Sequence, residues 1–256
     1  MAAAARPKAL CLLLLLAAYT ESATASDPAP SWLVYVAYRA PGPVTRVACN
    51  WEVPDKPTEP FGSNAPGWWF GVQTARGDGA LIQPILAYGF KGAHYSIFNG
   101  VFDWTDESWR TSDTQTVAPG DRVTSDLKSV DSDDRTYDMS IARQGDKPIV
   151  TRYRLEDAQK DAETVVYFVL EHQPITCLAY PRNGKLTFAN ITVEVSGKVV
   201  DEPAWEVHAE QPACGSTAAV ADARTLAFTW DPHAQARPPA HPSSGKWRSF
   251  DAVAEA

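Results

Sequence analysis

Five side chains able to titrate or to hold a proton lie in three short stretches of this sequence. Tyr167 sits in Val165-Val166-Tyr167-Phe168-Val169-Leu170-Glu171, with Glu163 four residues before it and Glu171 four residues after. Gln83 ends the run Ala80-Leu81-Ile82-Gln83, and Asp103 lies between two rings in Phe102-Asp103-Trp104. A carboxyl can take a proton from water and return it to a leaving group. A phenol, with a pKa near 10, cannot act as a base toward water in acid or at neutrality without a large shift. On a regular strand Glu163, Tyr167 and Glu171 share one face, yet each step of four residues is about 13 Å. Neither glutamate reaches the place of Tyr167 without a slipped register or a bulge. Asp103 falls on the opposite side of its strand from Phe102 and Trp104, and could supply a carboxyl from a neighbouring strand. Taken alone, Gln83 reads as an exposed strand glutamine, Tyr167 as a wet hydroxyl on a two-faced strand, and Asp103 as a solvated strand end.

Other chemistries lack their residues. The sequence has no Gly-x-Ser-x-Gly elbow, no His-Glu-x-x-His and no glycine loop for phosphate. The five histidines, at 94, 172, 208, 233 and 241, have no metal-ligand spacing, so neither a metal nor a cofactor is expected.

The elements that must position these groups are short alternating runs separated by Gly, Pro, Asp and Asn. They predict strands over residues 32–38, 44–53, 68–74, 80–87, 95–104, 122–130, 136–143, 149–155, 164–172, 185–195, 205–208 and 225–230. Gly145-Asp146 and Asn183-Gly184 tolerate positive φ and make good turns. Residues 131–134 read as a solvated loop, and 155–162 could hold one short helix. So many strands at such spacing predict an all-β fold, a sandwich or jelly roll of two antiparallel sheets. In residues 164–172, Val166, Phe168 and Leu170 should enter the core, leaving Val165, Tyr167, Val169 and Glu171 on a concave, partly wet face.

The first 25 residues read as a secretory leader. Arg6 and Lys8 precede an apolar run with five consecutive Leu, and Ala23-Thr24-Ala25 is a small-residue cleavage site. The run is too short to span a membrane. Residues 26–230 should form the sandwich domain, and 231–256, rich in Pro, Ala, His and Ser, a flexible tail. A formal net charge of −8 disfavours nucleic acid and anionic membranes as partners, since both need clustered Lys and Arg. With Cys11 gone in the leader, Cys49, Cys177 and Cys214 remain. In an oxidising compartment Cys177–Cys214 is the expected pair, with Cys49 bonded to either one as the alternatives. Asn190-Ile191-Thr192 is a glycosylation sequon, in keeping with an extracellular location.

The order of several fragments resembles the eqolisins, secreted glutamic peptidases. Ser31-Trp32 stands where that family has Asn-Trp, followed by Asn50-Trp51-Glu52-Val53-Pro54. Trp69-Phe70-Gly71-Val72 is similar to the family's Trp-Val-Gly-Ile run. Gln83 falls at the matching distance beyond it. Phe102-Asp103-Trp104 takes the place of Tyr-Glu-Trp, and Val117-Ala118-Pro119-Gly120-Asp121 looks like the Gly-Asp turn. Glu171-His172-Gln173-Pro174 and Leu186-Thr187-Phe188 resemble the segments that follow the catalytic strand. The resemblance spans roughly residues 32–230.

It implies a sandwich of two bent sheets whose concave face carries the site. There a Gln would hold the water and the oxyanion, while a Glu would serve as general base and then acid. Gln83 falls at the position of that Gln, and Tyr167 at the position of that Glu. Three functions compete on this basis. One is an acid endopeptidase with Gln83 and a carboxyl from Asp103, Glu163 or Glu171. Another is a silent sandwich binding a peptide or glycan through Trp32, Trp68, Trp69 or Tyr167. A third is an enzyme using Tyr167 as acid and base, as a polysaccharide lyase does, although the acidic strip around it would repel a uronic-acid polymer.

Overall fold

A computed structural model of the chain describes residues 27–58, 66–130, 135–156, 163–171, 176–209 and 213–234. The expected leader, the expected loop over 131–134, all but the first two residues of the short helix expected over 155–162, His172 to Pro174 and the chain beyond residue 234 lie outside the described residues, and residues 155 and 156 are not helical. In chain order the strands are β1 (Trp32–Arg39), β2 (Val44–Glu52), β3 (Gly67–Thr74), β4 (Ala80–Gly89), β5 (Gly92–Asp103), β6 (Ser108–Thr111), β7 (Gln115–Val117) and β8 (Arg122–Ser129). They continue with β9 (Thr136–Arg143), β10 (Ile149–Arg154), β11 (Glu163–Glu171), β12 (Lys185–Val195), β13 (Lys198–Val199), β14 (Glu206–His208), β15 (Thr217–Asp222) and β16 (Thr225–Thr229). A single turn of 3₁₀ helix, Cys177–Ala179, is the one helical element among the described residues. None of the described helices is long and apolar enough to cross a membrane.

The strands form two sheets, every pairing antiparallel. Sheet A runs β14-β1-β11-β3-β4-β5-β6, with β7 also on β5; sheet B runs β10-β9-β8-β2-β12-β16-β15, with β13 on β12. Period-two alternation builds the core between them. Val34 and Val36, Trp68, Phe70 and Val72, Ile82 and Leu86, and Val166, Phe168 and Leu170 point inward from sheet A. They meet Val47, Trp51, Val123, Leu127, Met139, Ile141, Phe188 and Phe228 from sheet B. Asn99 crosses this layer, its Nδ2 donating to the carbonyls of Met139 and Ile149 at 3.1 and 3.2 Å and pinning β5 to the far sheet.

The Cys177–Cys214 disulfide is formed, closing the loop after β11 onto the one before β15, and Cys49 is unpaired and buried. Trp230 Nε1 donates to the Pro181 carbonyl at 2.7 Å, and the Asp231 amide donates to the Cys214 carbonyl at 2.8 Å. Ala234 rests against the core.

Candidate functional site

Sheet A turns a second, smaller apolar cluster away from sheet B. Trp32, Tyr35 and Ala37 come from β1, and Val165, Tyr167 and Val169 from β11. Trp69 comes from β3, Leu81, Ile85 and Ala87 from β4, and Phe98 from β5. Tyr167 pairs with Gly71, and Gln83 with Gly100, while Trp69↔Ile85 and Val72↔Ile82 set Gly71 opposite Gln83. One row across the outer face thus reads Tyr167, Gly71, Gln83, Gly100. Tyr167 and Gln83 flank a glycine, two strand spacings apart, or about 9.6 Å between backbones. The glycine is required by close approach: a Cβ at Gly71 would lie 2.6 Å from the Ile82 carbonyl oxygen and 3.3 Å from Gln83 Cβ.

Rings hold this floor. Trp32 stands edge-on to Trp69 at 4.9 Å and to Tyr167 at 5.0 Å, while Tyr35 meets Tyr167 at 6.0 Å and stacks on His208 at 4.5 Å. These are ordinary aromatic geometries, each worth about 0.5–1.5 kcal/mol beyond burial. Tyr167 is 2% exposed and Gln83 5% exposed, so the face is closed rather than a wet cleft. Ala29, Phe90 and Trp109 pack against it. Burial first, and then the nearby Asp27 charge, push the Tyr167 phenol well above its usual range. It can donate a hydrogen bond but cannot serve as a base.

The carboxylates expected beside Gln83 are placed elsewhere. Asp103 pairs with Ala80 and faces the interior, as Tyr95, Ile97 and Val101 on β5 do; Phe102 takes the outer side instead. The Tyr153 hydroxyl from sheet B donates to Asp103 Oδ2 at 3.3 Å. Glu163 is also turned inward, because a bulge at Thr164 sets it opposite Thr74 while Val165 lies opposite Gln73. It is wholly buried, and neither carboxylate oxygen has a partner among the described residues. Burial, with Asp103 nearby, pushes its carboxyl well up. The expectation that either residue serves Gln83 is therefore corrected by strand parity in one case and by a bulge in the other.

Glu171 does face outward, four residues from Tyr167, and both of its oxygens are engaged. Trp69 Nε1 and Ser31 Oγ each donate to it at 2.7 Å. Trp69 and Trp32 line the outer face, Trp32 through a second bulge, at Leu33. Trp68, its neighbour's opposite in parity, is a core residue packed against Tyr95, Tyr180 and Trp230, and cannot touch a ligand on the outer face. Asn190 sits exposed on the far side of sheet B, in a bulge with φ of 54°, with Nδ2 donating to Asn50 Oδ1 at 3.3 Å. No group of three or more metal-ligating side chains occurs among the described residues.

Sequence reasoning passed over Asp27. Its side chain is 7% exposed, Trp104 Nε1 donates to its Oδ2 at 2.8 Å, and its amide donates to the Gly77 carbonyl at 2.8 Å. Burial pushes this carboxyl up to about 7. It precedes the first strand, next to the expected leader, where no periodic pattern marks a residue as packed.

No family model and no curated protein matches this chain. Among solved structures it is similar to Scytalido-glutamic peptidase bound to a peptide-based transition-state analogue. The TM-score is 0.55 at 14% identity, over 78% of this chain and 98% of that one. SCP-B, a member of the eqolisin family solved with the tripeptide Ala-Ile-His, gives a TM-score of 0.52 at 14% identity with the same coverage. The chain has the fold of the glutamic peptidases.

Proposed function

We propose that the outer face of sheet A, around Tyr167, Gly71 and Gln83, binds an extended polypeptide without cleaving it, in a secreted protein. The observation that carries this reading is the division of the carboxyls. Asp103 and Glu163 face the interior, and Glu171 is held by Trp69 and Ser31. By the sequence resemblance Tyr167 stands where the hydrolytic Glu stands in the eqolisins, and a raised phenol cannot replace that base. A polypeptide fits better than a glycan on the strength of the likeness to SCP-B, which was solved with a tripeptide. Export is supported by the leader pattern, by the Cys177–Cys214 disulfide and by the sequon.

The hydrolytic reading, an acid endopeptidase, keeps one observation in its favour: Gln83 is fixed on the same outer face as Tyr167, beside a glycine floor. Binding of fluorescently labelled, denatured protein fragments to the purified protein tests the proposal. Tyr167→Ala should weaken binding at least 10-fold, in line with buried aromatic anchors, whereas Val220→Ala, exposed on β15 of sheet B, should leave it unchanged. Binding that ignores Tyr167→Ala would place the polypeptide elsewhere and end the proposal.

A further inference from the structure

Residues 27–31 lie along the rim of the outer face and are tied to it at both ends. At the near end the Asp27 amide donates to the Gly77 carbonyl, and Trp104 Nε1 donates to the Asp27 carboxyl. Gly77, with φ of 71°, leaves no room for a Cβ, which would collide with the Asp27 carbonyl oxygen. In the middle Ala29 packs on the aromatic cluster, and its carbonyl accepts from the Trp32 amide at 3.0 Å. At the far end Ser31 reaches Glu171.

We propose that residues 27–31 are a strap closing the outer face of sheet A, and that Asp27 is its latch, holding while neutral and letting go when ionised. A carboxylate buried against an indole, with no charge of opposite sign in contact among the described residues, recovers through hydrogen bonds only part of the hydration it loses. Of the groups facing Asp27, two favour its ionised form and one opposes it, and burial outweighs them all. Gln73 on β3 and Trp104 beyond β5 offer hydrogen bonds, and the Glu171 carboxylate on β11 repels it. Tyr167 on β11 is uncharged, Arg39 on β1 bears on that phenol, and His208 on β14 is stacked on Tyr35.

The direction of the effect follows from the two states. An unfolded Asp ionises near 3.8 and the strapped one at about 7. Closure is therefore favoured in full below 3.8, weakens as pH rises, and has lost the whole contribution above about 7. Between pH 5 and pH 8 the ratio of closed to open strap should fall about 100-fold, two decades for two pH units. The strap would thus shut the face in acid and free it near neutrality, the reverse of what an acid hydrolase needs. What the opened face receives rests on the polypeptide reading; the movement itself does not.

Hydrogen exchange on the chain beginning at Ser26, its α-amino group acetylated so that no cation adjoins Asp27, corrected for intrinsic rates and followed at pH 5 and pH 8, tests the movement. Protection of the Trp32 amide should fall about 100-fold in the native protein and stay level in Asp27→Asn, which keeps an acceptor for Trp104 without the charge. Core amides of β9 serve as the control for global opening. An equal fall in both proteins, or no fall in the native one, overturns the latch. Binding of labelled denatured fragments forms the second arm, with tighter binding at pH 8 than at pH 5 expected for the native chain and weak binding at both for Asp27→Asn. A strap that opens on a face that binds nothing defeats the polypeptide reading alone. Binding by the native chain that is equal at both pH values defeats the strap alone.

Discussion

The two sides of sheet A are built from the same strands and bury aromatic residues equally well, yet they differ in how polar groups are treated. Inward, the Trp68, Phe70 and Phe168 rings interlock with sheet B, and the carboxyls among them have few partners. Glu163 has none among the described residues for either oxygen, and Asp103 accepts from Tyr153 and from the Thr105 amide. Outward, the rings around Tyr167 are bordered by polar groups that are tied: Glu171 by Trp69 and Ser31, and Asp27 by Trp104. The inner side is a fixed core whose buried carboxyl is tolerated as a neutral group. The outer side is a cover that can be undone, because its ties are few and sit at its edge.

The largest expected effect separates the two tryptophans that adjoin in sequence. Trp68→Ala should cost about 3–5 kcal/mol of unfolding free energy by opening a cavity between the sheets. Urea unfolding measures it, and a loss of under 1 kcal/mol would show that the inner ring is not part of a close-packed layer.

Second in size is the buried glutamate. The Glu163 carboxyl is raised by burial, so its neutral form is the one that fits, and that stability is complete below the ordinary pKa near 4.5. As pH climbs through the raised value, ionisation takes it away. Glu163→Gln should therefore flatten the decline in stability on going from pH 5 to pH 8, with a gain on the order of 1–3 kcal/mol at pH 8. Parallel pH-dependent unfolding curves for native protein and variant would contradict the burial of that carboxyl.

An effect of comparable size belongs to the floor of the outer face. Gly71→Ala forces a methyl against the Ile82 carbonyl and Gln83, and should cost roughly 1–3 kcal/mol as an overpacked site. Thermal melts would register it. The smallest is Trp69→Phe, which keeps the ring but takes the donor from Glu171, and should cost about 1 kcal/mol or less since Ser31 remains.

These contrasts also show which parts of the molecule could be read in the sequence. Strict alternation in Val165 to Leu170 sorts inward from outward residues on β11, and similar patterns locate most of the strands and the two-sheet architecture. The alternation fails wherever one residue is inserted. The bulge at Thr164 sends Glu163 into the interior, and the bulge at Leu33 brings Trp32 onto the outer face. Neither leaves a mark in residue type, because Thr and Leu suit a regular strand equally well. The short edge pieces β6, β7, β13 and β15 are too brief or too polar for a periodic signal. Asp27 was illegible for another reason: its burial comes from Trp104 and Gly77, some 50 and more residues away in sequence.

Cleavage is the property on which the account turns. Denatured protein substrate should be incubated with native protein, Gln83→Ala and Tyr167→Glu from pH 2 to pH 8, and the products resolved by mass spectrometry. The native protein should cleave nothing at any pH, under conditions where labelled fragments bind, and Tyr167→Glu should yield at most a trace. Cleavage by the native protein in acid that falls 100-fold or more in Gln83→Ala, the loss typical of a removed oxyanion donor, would contradict it.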